Sequence, residues 1–103
     1  MSEIKITKDN FEQEVLNSSI PVLIDFFADW CGPCRMVGPV IEEIASEADG
    51  KFKVCKVNVD EEPELASAFQ VASIPMIVVM KDKQITNSLV GFRPKEEILD
   101  LLK

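Results

Sequence analysis

The stretch Pro21–Ala28 constrains the fold of this chain more than any other. Val22, Leu23, Ile24, Phe26 and Phe27 leave it almost no polar side, so it reads as a strand buried on both faces. Asp25 alone interrupts the run. With 103 residues there is room for one hydrophobic core, and the expectation is a single domain over residues 1–103.

The neighbouring patterns supply the cover such a strand needs. Glu3–Thr7 alternates weakly, with Ile4 and Ile6 on one face, and suits a short first strand. Asp9 followed by Glu12 has the form of a capping box, opening a helix that buries Phe11, Val15 and Leu16 and ends at Asn17-Ser18-Ser19. Val37, Val40, Ile41, Ile44, Ala45 and Ala48 recur at helical spacing up to Gly50, with Pro39 inside the segment and a kink expected there. Lys51–Asp60 alternates as a third strand, and Glu61-Glu62-Pro63 starts a short helix that buries Leu65 and Phe69. Met76–Met80 and Gln84–Val90, joined by Lys81-Asp82-Lys83, read as an antiparallel hairpin. A last helix from Pro94 buries Ile98, Leu101 and Leu102. The order βαβαβαββα predicts an α/β protein: a three-layer α/β/α arrangement around a mixed five-stranded central sheet with four helices.

Composition narrows the chemistry. A 47% hydrophobic, 28% charged chain is an ordinary globular protein. Its net charge of −7 repels phosphate, which argues against nucleic acid and anionic membranes as partners. There is no apolar run of membrane-spanning length and no apolar N-terminal stretch of signal-peptide length, so a cytoplasmic protein is expected. Histidine is absent, which excludes Ser-His and Cys-His nucleophile pairs and His-ligated metals. Acid–base work falls to carboxylates, lysines or thiols.

Two of the three cysteines lie in Trp30-Cys31-Gly32-Pro33-Cys34, where the buried strand gives way to the helical pattern. A Cys-x-x-Cys pair closes reversibly into a small disulfide ring, the spacing of dithiol redox chemistry. Cys31 falls at or just before the first helical turn, where free N–H groups and the helix dipole favour an anion by ~0.3–1 kcal/mol, up to about 2 when partly buried. That lowers a thiol pKa by about 0.2 to 1.5 units. Cys34, one turn further in, faces back toward it and is expected to be the more buried. Cys31 is then the nucleophile and Cys34 the resolving thiol. A zinc site would need two more good ligands, and only Cys55 remains. A purely structural disulfide would close too small a loop to constrain the unfolded chain.

Asp25 is the second candidate. A lone carboxylate in an apolar strand is costly to bury, so its pKa should rise. Near the resolving thiol it could accept the Cys34 proton through water; the alternative is an aspartate capping the next helix. Lys56, on the third strand, is either a modulator of Asp25 or an ordinary snorkelling lysine. Cys55 reads as a small buried hydrophobe, with a regulatory role the minority reading. Pro75 on its own reads as a strand-entry proline.

Asp25-Phe26-Phe27-Ala28-Asp29-Trp30-Cys31-Gly32-Pro33-Cys34-Arg35-Met36, with Ile74-Pro75 and Val90-Gly91 downstream, resembles the thioredoxin family from about Glu3 to Leu102. The resemblance implies a thioredoxin fold and a cis peptide bond before Pro75, opposite the dithiol. It implies that Ser73, Ile74 and Pro75 offer backbone to an extended substrate segment. Trp30, Gly32, Pro33, Gly91 and Phe92 would complete an apolar docking surface. Implied partners are disulfide-containing proteins and a thioredoxin reductase, linked to NADPH and flavin or else to ferredoxin. The chain itself needs no cofactor and no metal, and a monomer is expected. Departures from the family pattern are Met76 for a usual threonine, Phe27 for tryptophan or tyrosine, Gln70 for glycine, and Lys83 for the hairpin glycine. The last two predict rearranged turns, since left-handed backbone without glycine costs on the order of 1 kcal/mol. Met76 is expected to alter the substrate-facing surface.

The function expected is thiol–disulfide oxidoreduction, reducing protein disulfides through Cys31 and Cys34. Its rivals are a disulfide oxidase or isomerase, and a non-enzymatic binding subunit that uses the same apolar rim.

Overall fold

A computed structural model of the chain describes residues 3–103. Five strands, β1 (Ile4–Lys5), β2 (Val22–Phe27), β3 (Lys53–Asn58), β4 (Met76–Lys81) and β5 (Gln84–Val90), form one sheet in the order β1-β3-β2-β4-β5. Four helices, α1 (Glu12–Leu16), α2 (Gly32–Ser46), α3 (Pro63–Ala68) and α4 (Lys95–Asp100), interleave with them as βαβαβαββα. β1 and β2 run parallel to β3, whereas β4 is antiparallel to β2 and β5 to β4. This is the mixed, two-sided sheet that the sequence predicts.

Alternation along β2 divides the core. Ile24 and Phe26 join Val15, Val57 and Val78 on one face, with Leu65 and Phe69 of the α3 region packed against them. Leu23 faces the other layer, among Val37, Ile41 and Ile44 of α2, Ile77 of β4 and Ile98 of α4. Successive strand residues point to opposite faces, so Asp25 shares the side of Leu23, the side that α2 covers. Leu65 and Phe69 are half-buried rather than enclosed, and Leu101 and Leu102 pack just beyond the end of α4.

Three local expectations need correction. Asp9 does not cap α1: the helix begins after Phe11 with no side-chain cap, and the Thr7 N–H is bonded by Asn10 Oδ1 at 2.8 Å instead. The helix is also wide, with the Asn17 N–H closing onto the Glu12 carbonyl five residues back. α2 stops at Ser46, short of Gly50, because Glu47 and Ala48 donate three residues back and tighten the last turn. Asp49 and Gly50, at φ 49° and 74°, then reverse the chain. The hairpin link is two residues, Asp82 and Lys83, both left-handed, which is the geometry of a tight primed turn.

The turns at Gln70 and Lys83 are not rearranged. Gln70 holds φ 55° and Lys83 φ 67° without a glycine. At Gln70, the Val71 N–H reaches the Ala66 carbonyl and the Gln70 N–H the Ser67 carbonyl, both at 2.9 Å, a Schellman-type closure that fixes the conformation. At Lys83, the ammonium donates to the Leu16 carbonyl at 3.0 Å and to Asn17 Oδ1 at 3.2 Å. Since Gln70 is exposed, Gln70→Gly is expected to stabilise the protein by up to about 1 kcal/mol and Gln70→Val to destabilise it, as urea denaturation midpoints will register.

Candidate active site

Cys31 is the residue that caps α2. Its backbone is extended, at φ −88° and ψ 114°, and its Sγ accepts the Cys34 N–H at 3.2 Å. Pro33 stands in the first turn, where a missing N–H costs nothing. The sulfurs of Cys31 and Cys34 are joined as a disulfide, the Cα atoms 5.2 Å apart. Ala28 and the two cysteines form a small cluster of their own, covered by Phe27, Val59 and Ile74.

The expected difference in burial between the thiols is not found. Cys31 is 4% exposed and Cys34 5%. The opposing loop helps to cover the pair: Ile74 packs on it, and its carbonyl lies 3.8 Å from Cys31 Sγ. What separates the two sulfurs is therefore their relation to the helix end.

The loop opposite carries a cis Ile74–Pro75 bond, as the resemblance implied. Pro75 is buried, and its carbonyl accepts the Gly91 N–H at 2.8 Å. Gly91 sits at φ 93°, a conformation that side chains resist, so glycine permits this close approach of β5's end to the loop. Around the disulfide, Trp30 is 68% exposed and Phe92 42%, while Gly32, Pro33 and Ser73 are also open to solvent. Met76 is half-buried and packs on the core, with Phe26 as its partner on β2.

Asp25 is 1% exposed, and its Oδ1 has no hydrogen-bond partner. Strand register sets it beside Lys56 on β3 and Ile77 on β4. Burial pushes the carboxyl up to about 7; the Lys56 ammonium opposes this and Glu3 adds to it. Asp25, Cys34, Lys56 and Arg35 line one cleft of about 220 Å³, large enough for several water molecules. Lys56 is half-buried with its Nζ 4.5 Å from the centre of the Phe27 ring, a cation–π contact. Cys55 is enclosed in the sheet, and burial pushes its thiol up to about 12, which leaves it unionised and unreactive at neutral pH.

The thioredoxin family model matches residues 2–103. The chain belongs to the thioredoxin family. It is 48% identical over 99 residues to thioredoxin 1 of Nostoc sp., covering 96% of this chain and 92% of that one. Similar values hold for thioredoxin 1 of Synechococcus elongatus, 50% over 97 residues with 94% and 91% covered. The thioredoxin of Staphylococcus haemolyticus is 44% identical over 102 residues, with 99% and 96% covered. Membership and the closed Cys31–Cys34 pair make this a thiol–disulfide oxidoreductase, a protein-disulfide reductase with a redox-active dithiol. Thioredoxins as a family act on disulfide substrates and are served by a reductase. Among the described residues, no helix is long and apolar enough to cross a membrane.

Two participants escaped the sequence reading. Asp60 Oδ2 accepts the Trp30 indole N–H at 2.8 Å, and Asn58 Oδ1 in turn accepts the Asp60 N–H at 2.9 Å, fixing the rim tryptophan to the end of β3. Glu3, beside β1, faces Lys56. Both depend on which strands are neighbours, which residue spacing alone does not show.

Because Asp25 is raised from 3.8 to about 7, the folded protein binds its proton more tightly than the unfolded chain does. The favourable neutral state is fully present below about 3.8 and is lost as pH rises through about 7, for a total of about 4 kcal/mol. Asp25→Asn should therefore be more stable than the wild type by a margin that widens from acidic to alkaline pH, as urea midpoints measured across that range will show.

Proposed function

We propose that the chain reduces protein disulfides by a two-step exchange in which Cys31 is the nucleophile, Cys34 the resolving thiol and Asp25 the proton acceptor. In the reduced protein the Cys31 thiolate attacks one sulfur of a substrate disulfide, and the other substrate sulfur leaves as a thiolate that takes up a proton. Asp25 removes the Cys34 proton through water in the shared cleft. The Cys34 thiolate then attacks Cys31 Sγ, and the second substrate sulfur leaves. The substrate gains two electrons and two protons, and the protein departs with Cys31 and Cys34 joined.

One observation carries this reading: Cys31 Sγ caps α2 and accepts an N–H from its first turn, so the same helix end favours a thiolate there. The cleft common to Asp25 and Cys34 supports the proton step. Lys56 would modulate Asp25. Trp30, Gly32, Pro33, Gly91 and Phe92 would form the apolar docking rim, with backbone of Ser73, Ile74 and Pro75 meeting an extended substrate segment.

The finer setting belongs to the same proposal. The chain acts as one domain over residues 1–103 and as a monomer. It works in the cytoplasm, where a reducing pool suits a reductant, and a flavin- and NADPH-dependent reductase restores the dithiol. Turnover of the oxidised protein by a purified NADPH-linked enzyme, set against a ferredoxin-linked one, decides the donor.

In insulin reduction driven by dithiothreitol, Cys31→Ser is expected to abolish activity, and unchanged activity would sink the mechanism. Cys34→Ser should accumulate a mixed disulfide with substrate, visible by mass spectrometry. With Cys34 in place, Asp25→Asn should slow decay of the mixed disulfide at neutral pH by about a hundredfold, the low side of what a positioned general base contributes; decay at the wild-type rate would remove Asp25 from the proton step.

A further inference from the structure

Glu3 is a carboxylate that the exchange mechanism does not use, yet it points into the machinery. It immediately precedes β1, whose parallel register with β3 sets Lys5 beside Lys56. Its side chain is only 13% exposed; Oε1 lies 4.0 Å from Lys56 Nζ, and Oε2 is buried without a hydrogen-bond partner. Asp25 Oδ1 is buried and without a partner in the same way. Lys56 thus stands between two poorly solvated carboxyl groups, with its ammonium resting on the Phe27 ring. A single positive charge cannot neutralise both.

We propose that Glu3 is a positioning residue for the acid–base step: by sharing Lys56 with Asp25, it sets the pH range in which Asp25 is ionised to serve Cys34. The proposal rests on the reading of Asp25 as proton acceptor. Glu3 acts in two ways of the same sign. Its own charge repels the Asp25 carboxylate, and it draws toward itself the one ammonium that would stabilise that carboxylate. The contact at 4.0 Å is at the outer edge of an ion pair, so Lys56 is not locked to either side.

The remaining charges around Asp25 leave this arrangement intact. β4 offers only Ile77, and β3 offers Lys56. From α2, Arg35 lines the Asp25 cleft but donates to the Asp29 carbonyl at 3.1 Å; burial makes Glu3 itself harder to ionise, the Lys56 ammonium opposes this, and Glu42 of α2 adds to it. On β1, Lys5 is engaged with Glu61 at 3.3 Å. Asp29 also lines the Asp25 cleft, and Cys34 is the proton donor itself. Among these groups, Glu3 is the one acid in ion-pair range of Lys56.

The test uses the full chain in two measurements. One is the carboxyl carbon NMR titration of Asp25. The other is the pH profile for release of thionitrobenzoate from its mixed disulfide with Cys31. Glu3→Gln is expected to move both midpoints down by several tenths of a pH unit, raising release on the acid side about twofold. In a Lys56→Met background the same substitution should move them less, because the shared cation is gone. Glu3→Asp, which keeps the charge, should restore the direction of the wild-type profile. An Asp25 midpoint that is unchanged or raised in Glu3→Gln overturns the proposal, and an undiminished shift in the Lys56→Met background overturns sharing through Lys56. A midpoint that moves while wild-type release ignores Asp25 titration supports the Glu3–Lys56–Asp25 coupling and overturns the proton-acceptor reading instead.

Discussion

β2 is bonded on both sides, parallel to β3 through all six of its residues and antiparallel to β4 through five. Its backbone is engaged on both edges, and its apolar side chains anchor both helical layers. Because neither edge is free, a slip by one residue would exchange every buried side chain between the layers, and Asp25 with them. The register that seats Leu23 under α2 also seats Asp25 there and Lys56 beside it. Where β2 ends, the Cys31 N–H closes a turn onto the Ala28 carbonyl at 3.2 Å and the chain enters α2. The dithiol inherits its position from the strand before it.

That arrangement sets stability against chemistry. A neutral apolar residue would be the comfortable occupant of a site as closed as that of Asp25. Its carboxyl instead titrates near neutrality, close to the pH at which a general base is most useful. Lys56 moderates the penalty without removing it, since it stays half-exposed and is also attracted to Glu3. Sites that do chemistry often keep such groups at the expense of folding free energy.

The sequence made some of this legible and hid the rest for physical reasons. The apolar run at Val22–Phe27, broken only by Asp25, announced a central strand, and Cys-x-x-Cys at its exit announced the dithiol. Both signals are local. The capping box read at Asp9 is missing because α1 begins only after Phe11, while the side chain of Asn10 turns back to the Thr7 N–H ahead of the helix. The equal burial of the cysteines was unreadable because part of their cover, Ile74, lies in a loop remote in sequence. Gln70 and Lys83 show the converse: an unfavourable backbone conformation persists where hydrogen bonds around it leave no other choice.

Helix α1 has no side-chain cap at its start, and two of its last carbonyls are bonded by lysines from the sheet and its hairpin turn. Lys53 of β3 reaches the Glu14 carbonyl at 3.0 Å across 39 positions of chain, and Lys83 of the hairpin turn reaches the Leu16 carbonyl at 3.0 Å across 67. So short a helix is marginal alone and depends on these distant partners for its shape. The N-terminal segment is a latch whose catches lie elsewhere, on β3 and on the hairpin turn, so damage at either should loosen it first.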